Sequence, residues 1–134
     1  MATTTATITL SSSDLLTDNL SLSATMNLYK HGTTATGLDE LNYHRAIIPT
    51  GTNFTLIQES AALNTNGSNY VYIINKNTDV TDYVVVSIRS EVIGRLYAGD
   101  WAFIPWMANA STNDIKIDPS ANSMVLEYML FTDE

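Results

Sequence analysis

The side chains with the greatest capacity for chemistry are the two histidines, His31 and His44, and the acidic pair Asp39 and Glu40 between them. Imidazole and carboxylate groups brought together by one loop can bind a divalent metal or exchange protons near neutral pH. Loop histidines are more often simply solvated, and no nucleophile or oxyanion-hole motif accompanies these. The chain contains no cysteine, which excludes thiolate chemistry. The sequence therefore predicts a protein that is not an enzyme and that carries no metal or other cofactor.

Several acidic residues lie in polar segments where their oxygens could bind calcium. Asp79 and Asp82 form one such group, and Asp114 and Asp118 form another. Neither group has the spacing of a known calcium-binding loop. Aspartate is also common in turns, because its side chain accepts hydrogen bonds from nearby backbone amides. We expect these residues to form turns and to contribute to solubility.

The segment Ala98-Gly99-Asp100, followed by Phe103-Ile104-Pro105, resembles the glycine-aspartate turn and the isoleucine-proline strand end of cupin-type jelly rolls. The resemblance implies a topology only. A metal-dependent cupin needs clustered histidines and a carboxylate on facing strands, whereas both histidines of this chain lie far upstream. We therefore expect Asp100 to be a turn residue.

The aromatic residues are the strongest candidates for a binding role. Trp101 and Trp106 are five positions apart, so a regular strand directs them to opposite faces and only one of them enters the core. The other is available for a subunit interface or for stacking on a sugar. Seven tyrosines add amphipathic rings of the kind enriched at interfaces. The candidate interface residues are Ile8, Leu10, Tyr97, Trp101 and Trp106.

Short segments of alternating polarity, separated by Asn, Asp, Gly and Ser, predict the elements that position these residues. The alternation is clearest in 19–28, where we expect one face to lie in the core and the other in water. Further strands are predicted at 5–10, 45–48, 53–59, 70–75, 83–90, 92–97, 101–106, 114–118 and 124–131. The sequence predicts an all-β fold, an antiparallel β-sandwich of jelly-roll or Greek-key type. Residues 1–134 form one domain, in which 1–10 can serve as an N-terminal arm strand.

Three connections have more specific predictions. Ser11-Ser12-Ser13-Asp14 can cap a helical turn through Leu15 and Leu16. Residues 29–44 read as a loop, with one helical turn at 38–41. The turn signal Pro49-Thr50-Gly51-Thr52 predicts a hairpin between its flanking strands.

The charge of the chain limits its partners. Fourteen acidic residues against six basic residues give a net charge of −8 at pH 7, which repels the phosphates of nucleic acids. No segment has the apolar length of a membrane span, and the N-terminus does not read as a secretory signal. We expect no nucleic-acid partner and no membrane partner, and a protein made in the cytoplasm.

The second half of the chain resembles small virion structural proteins of tailed bacteriophages. The resemblance covers about 70–134 and rests on the strands 70–79, 93–101, 115–117 and 127–131. This family includes capsid decoration (cement) proteins and small tail-associated proteins, commonly trimeric β-sandwiches. It implies a noncatalytic virion protein that forms a homotrimer and stabilises the shell by bridging capsid subunits. Its partners are then other copies of itself and the major capsid protein or another virion protein.

Two alternatives remain open. A tail-associated or receptor-binding module would also be a small β-protein assembled by symmetry. A carbohydrate-binding module would use an exposed Trp101 or Trp106, with nearby Asn and Asp side chains, to hold a glycan. In the decoration hypothesis, the segment 3–10 is expected to add a strand to a neighbouring subunit.

Overall fold

A computed structural model describes residues 3–14, 17–38, 40–51, 53–62, 67–109 and 111–133. It consists of ten antiparallel strands and two short 3-10 turns at Glu59–Ala61 and Ser111–Asn113. The all-β, antiparallel sandwich predicted from the sequence is therefore confirmed. The strands are β1 (Thr4–Ser12), β2 (Leu20–Leu28), β3 (Glu40–Ile48), β4 (Phe54–Ile57), β5 (Tyr70–Asn75), β6 (Tyr83–Ile88), β7 (Glu91–Tyr97), β8 (Trp101–Pro105), β9 (Ile115–Pro119) and β10 (Met124–Thr132).

Eight of the strands form the sandwich, in two four-stranded sheets with the orders β3-β10-β5-β8 and β4-β9-β6-β7. The chain passes from one sheet to the other at every connection between β3 and β10 except β6 to β7, which pair as a hairpin. Most neighbours within a sheet are thus distant in sequence. The central strand β10, for example, is bonded to both β3 and β5.

The core lies between the two sheets and contains the inward side chains of both. Alternate residues of β5, Val71 and Ile73, and alternate residues of β9, Ile115 and Ile117, belong to this core, and all four are fully buried. Trp106 follows β8 and is also buried; its indole N–H donates a 2.8 Å hydrogen bond to the carbonyl of Asn113. Because this polar edge has a partner, the large ring is buried without an unsatisfied donor.

The strands β1 and β2 form a separate two-stranded hairpin. The alternation predicted here is present, but the expectation that its apolar face lies in the core is wrong. Ile8, Leu10, Leu22 and Met26 remain between 42% and 48% exposed. The predicted arm strand, 3–10, is paired with β2 of its own chain.

The base of the hairpin is fixed to the sandwich near the end of β10. Leu28 is buried, and its carbonyl accepts a 3.1 Å hydrogen bond from the amide of Leu38. The carboxylate of Asp133 accepts hydrogen bonds from the amides of His31, at 2.8 Å, and Ser68, at 3.4 Å. The hairpin therefore projects from an anchored base.

Two local predictions differ from the structure. The strand β3 begins at Glu40, so Glu40 and Leu41 are extended and not helical. Each residue of β3 has a partner in β10, and this long-range pairing outweighs the local tendency toward a turn. Residues 49–51 do not close a hairpin, because β3 and β4 belong to different sheets. The predicted helical turn at Leu15 and Leu16 falls outside the described residues.

Candidate functional site

The outward side of the sheet β3-β10-β5-β8 is the candidate functional site, and we call it the aromatic face. In β5 and β10 its residues alternate with mostly buried ones, so they point away from the core, and strand register places the residues of β3 and β8 on the same side. On a sheet that faces water, these positions are ordinarily polar. Here they are almost all apolar or aromatic: Leu41, Tyr43, Arg45, Ile47, Tyr70, Tyr72, Ile74, Trp101, Phe103, Pro105, Val125, Glu127, Met129 and Phe131.

Aromatic rings form a contiguous group across the neighbouring strands β5 and β8. Tyr70 stacks on Phe103 with centroids 5.5 Å apart, and Tyr72 contacts Trp101 at 6.0 Å. Phe103 also meets Phe131 of β10 edge to face at 6.1 Å. Both β5–β8 contacts are diagonal, because the residues directly opposite Tyr70 and Tyr72 are Pro105 and Phe103. The rings support one another and hold a large apolar surface in fixed positions.

One ion pair lies within the aromatic face. Arg45 of β3 stands directly opposite Glu127 of β10, with 3.7 Å between guanidinium nitrogen and carboxylate oxygen. The hydroxyl of Tyr43 also hydrogen-bonds to Glu127, and this interaction with a carboxylate raises the pKa of Tyr43. The charged groups therefore balance each other. A partner can cover this part of the surface without burying a net charge.

The outward side of the sheet β4-β9-β6-β7 is different. It carries the charged residues Arg95, Lys116 and Asp118. The Arg95 guanidinium lies 4.1 Å from the centre of the Tyr83 ring and donates a 3.2 Å hydrogen bond to the Tyr97 hydroxyl, which raises the pKa of Arg95. On this outer face the rings of Tyr83 and Tyr97 contact the charged Arg95 side chain, whereas on the aromatic face the rings contact one another. The two sides of the sandwich are chemically unequal.

The hairpin presents a second apolar surface. Register places Ala6 opposite Met26, Ile8 opposite Ala24 and Leu10 opposite Leu22, all on one side. We call this side, together with Leu20, the hairpin face. The other side is polar and its side chains bond to each other, as between the hydroxyls of Thr7 and Thr25 at 3.0 Å.

The residues predicted as an interface do not form one site. Ile8 and Leu10 lie on the hairpin face, Trp101 on the aromatic face and Tyr97 on the outer side of the other sheet. Trp106 must be removed from the set, because it is 3% exposed whereas Trp101 is 51% exposed. The prediction that only one of the two tryptophans enters the core is confirmed.

Sequence reasoning missed most of the aromatic face, although a signal for it exists. The strand β10 reads Met-Val-Leu-Glu-Tyr-Met-Leu-Phe-Thr, in which nearly every position is apolar on both sides. Such a strand is typical of a sheet covered on both faces. In the single chain only its inner side is covered, by the second sheet. The apolar outer positions of β10 are therefore the signal in the sequence from which the aromatic face could have been predicted.

The two histidines, which the sequence analysis considered for a metal or acid/base cluster, lie in different surroundings. His44 stacks on Tyr128 with centroids 5.1 Å apart, whereas His31 lies in the loop fixed by Asp133. Within the described residues, no group of three or more His, Asp or Glu side chains is positioned to hold a metal ion. Asp39 falls outside the described residues. His44 and Tyr128 instead line an open cavity of about 360 Å³ beside β4, and partial burial raises the pKa of Tyr128.

Asp79 and Asp100 are turn residues, as the sequence predicted. The carboxylate of Asp100 accepts a 2.9 Å hydrogen bond from the Tyr97 amide in the β7–β8 turn. Asp79 accepts hydrogen bonds from the Thr81 amide and hydroxyl, which lower the pKa of Asp79. Asp118 instead lies in β9 and accepts a hydrogen bond from the amide of Asn53, a residue distant in sequence. Each of these three carboxylates thus has a backbone partner.

No protein-family model, curated protein or solved structure matches this chain. In the part of the chain that the structure describes, no helix is long and apolar enough to cross a membrane.

Proposed function

We propose that this protein is a noncatalytic structural component of a bacteriophage virion, a capsid decoration protein that forms a homotrimer and binds the shell. The observation that carries the binding role is the aromatic face, an apolar sheet surface interrupted by one balanced ion pair. By strand spacing, the face measures on the order of 400 Å². Patches of this size on single chains commonly mark interaction sites.

The arrangement of strands supports the virion assignment. The orders β3-β10-β5-β8 and β4-β9-β6-β7 are what a jelly roll of eight strands would have, and we infer that the sandwich is of this type. Jelly rolls occur in viral capsid and lectin domains. The assignment to a phage virion comes from the sequence resemblance over 70–134. The acidic net charge of −8 is compatible with a partner made of protein and disfavours nucleic acid.

The aromatic face is tested with paired substitutions. Tyr43→Lys with Ile47→Lys changes positions 52% and 66% exposed on this face, and Val92→Lys with Ile93→Lys changes positions 68% and 53% exposed in β7. Both variants add the same charge to exposed strands. We expect the first variant alone to lose binding to shells of the encoding phage, measured by co-sedimentation.

Equal binding by both variants would contradict the role of the aromatic face. Mass spectrometry and cryo-electron microscopy of purified virions test the assignment itself. Virions that lack the protein would overturn it.

A carbohydrate-binding function is the second candidate, and the exposure of Trp101 favours it. The Trp101 ring is half exposed and is supported by Tyr72, an arrangement that can stack on a sugar ring. A glycan array separates the candidates. Binding to a defined glycan that Trp101→Ala abolishes would favour the receptor-binding function, and a blank array would exclude it.

A further inference from the structure

We infer that the β1–β2 hairpin is the self-association element of the chain, and that its hairpin face packs against the same face of two other copies around a three-fold axis. The inference rests on the proposed homotrimer but not on the virion assignment. It also separates two roles: the hairpin face binds other copies, and the aromatic face binds the partner protein.

The stability of the hairpin gives the first argument. Two-stranded hairpins alone in water are at best marginally stable, and a third strand or a packed face is needed to hold them. The described strands of the sandwich do not cover the hairpin face, where Ile8, Leu10, Leu22 and Met26 remain over 40% exposed. On the opposite side, hydroxyls and amides already bond in cross-strand pairs. The hairpin face therefore needs a covering molecule, and its polar side does not.

Charge allows that molecule to be another copy of this chain, provided that the copies meet at an uncharged surface. Each copy has a net charge of −8, so copies repel one another over most of their surface. Neither β1 nor β2 contains a charged residue. The hairpin is thus the longest paired element at which copies meet without placing like charges together. A charged or strongly polar partner would gain nothing from this surface.

Area favours three copies over two. Nine residues per strand and two strands give a face of about 300 Å². Two such faces together give roughly 600 Å² and three give roughly 900 Å², so the larger assembly comes closer to the 1,200 Å² or more of a stable interface. In a closed ring of three, each hairpin contacts two neighbours, and the contacts are made together or not at all.

The side chains suit this packing. On the hairpin face, Ala6 lies opposite Met26 and Ala24 lies opposite Ile8. Each of these two cross-strand pairs therefore combines a small residue with a large one. Large and small residues that alternate across facing positions can interdigitate without voids. In the next pair on this face Leu10 lies opposite Leu22, and both residues are large. It provides the greatest apolar volume and is the best place for a disruptive substitution.

The test uses two variants of the full chain that differ only in the side of the hairpin. Leu10→Lys with Leu22→Lys changes a directly opposed pair on the hairpin face. Thr9→Lys with Ser23→Lys changes the neighbouring opposed pair on the polar side. Both variants add two positive charges per copy and place them opposite each other, so like-charge repulsion weakens strand pairing in both. Mass is measured by light scattering after size-exclusion chromatography, and the fold by the fluorescence of the buried Trp106.

We expect a trimer for the unmodified chain and for Thr9→Lys with Ser23→Lys, and a folded monomer for Leu10→Lys with Leu22→Lys. If the latter is unfolded, Leu10→Thr with Leu22→Thr makes the same test with strand-forming residues. A trimer that survives the changes on the hairpin face would overturn the inference, as would a monomeric or dimeric unmodified chain. Binding of the unmodified chain to neutral phosphatidylcholine vesicles, lost in the Leu10→Lys and Leu22→Lys variant, would also overturn it. If the variant Tyr43→Lys with Ile47→Lys loses shell binding but remains a trimer, the inference is supported, because self-association and shell binding then use different faces.

Discussion

At the scale of single residues, Trp101 in β8 and Trp106 just after it show how burial decides the effect of a substitution. Trp106 is buried and donates a hydrogen bond to Asn113, whereas Trp101 is half exposed on the aromatic face. Trp106→Ala is expected to lower the free energy of unfolding by about 3–5 kcal/mol, because it leaves a cavity and an unpaired carbonyl. Trp101→Ala is expected to cost about 1 kcal/mol or less. Urea unfolding of both variants measures the difference, and equal losses would contradict this assignment of burial.

Tyr128 gives a prediction for alkaline pH. Partial burial beside His44 raises the pKa of its hydroxyl in the folded chain above the ordinary value of about 10. As pH rises past about 10, the unfolded chain releases this proton first, so the contribution of Tyr128 to stability is present below that pH and declines above it. Tyr128→Phe removes this contribution. The unfolding free energy of the unmodified chain, minus that of Tyr128→Phe, should therefore fall between about pH 8 and about pH 11. A value that stays constant or rises would contradict the raised pKa.

At the scale of elements, two glycines near the β7–β8 turn should respond oppositely to the same substitution. Gly99 in the turn has a φ of +85°, and Gly94 within β7 does not have a positive φ. A Cβ at either position meets no atom within 4 Å, so the backbone alone decides the outcome. Gly99→Ala is expected to cost about 1–2 kcal/mol, because left-handed backbone is unfavourable for alanine. Gly94→Ala is expected to gain about 0.5 kcal/mol, since glycine weakens a strand. Thermal unfolding of the two variants checks the signs, and a loss in both would indicate that side-chain space is limiting.

The elements also show how far the sequence predicts this protein. The strand β5 is predicted with its observed bounds, because a short run of β-branched and aromatic residues between polar segments has one good solution. The beginning of β3 at Glu40 is missed, because its pairing with β10 is a contact between distant parts of the chain. The alternation in β2 correctly predicts an amphipathic strand but not what covers its apolar side. The same limit hides the aromatic face, since alternation reports which side chains share a face and not what lies above them.

At the scale of the whole molecule, the dependence of self-association on salt distinguishes the forces that hold copies together. Copies with a net charge of −8 repel one another, while the proposed contact at the hairpin face contains no charged side chain. Salt screens the repulsion and leaves apolar packing intact, since the Debye length is about 10 Å at 0.1 M and shorter above it. Sedimentation equilibrium should therefore show tighter self-association at about 0.5 M than at about 0.05 M NaCl.

Ion pairs between copies would give the opposite dependence on salt. If copies met through exchange of the Arg45–Glu127 pair on the aromatic face, screening would weaken the assembly. Arg45→Gln with Glu127→Gln provides the matched control, because it removes one positive and one negative charge and keeps the net charge. The variant should assemble like the unmodified chain at both salt concentrations. Weaker assembly at high salt, abolished in this variant, would place self-association on the aromatic face and not on the hairpin.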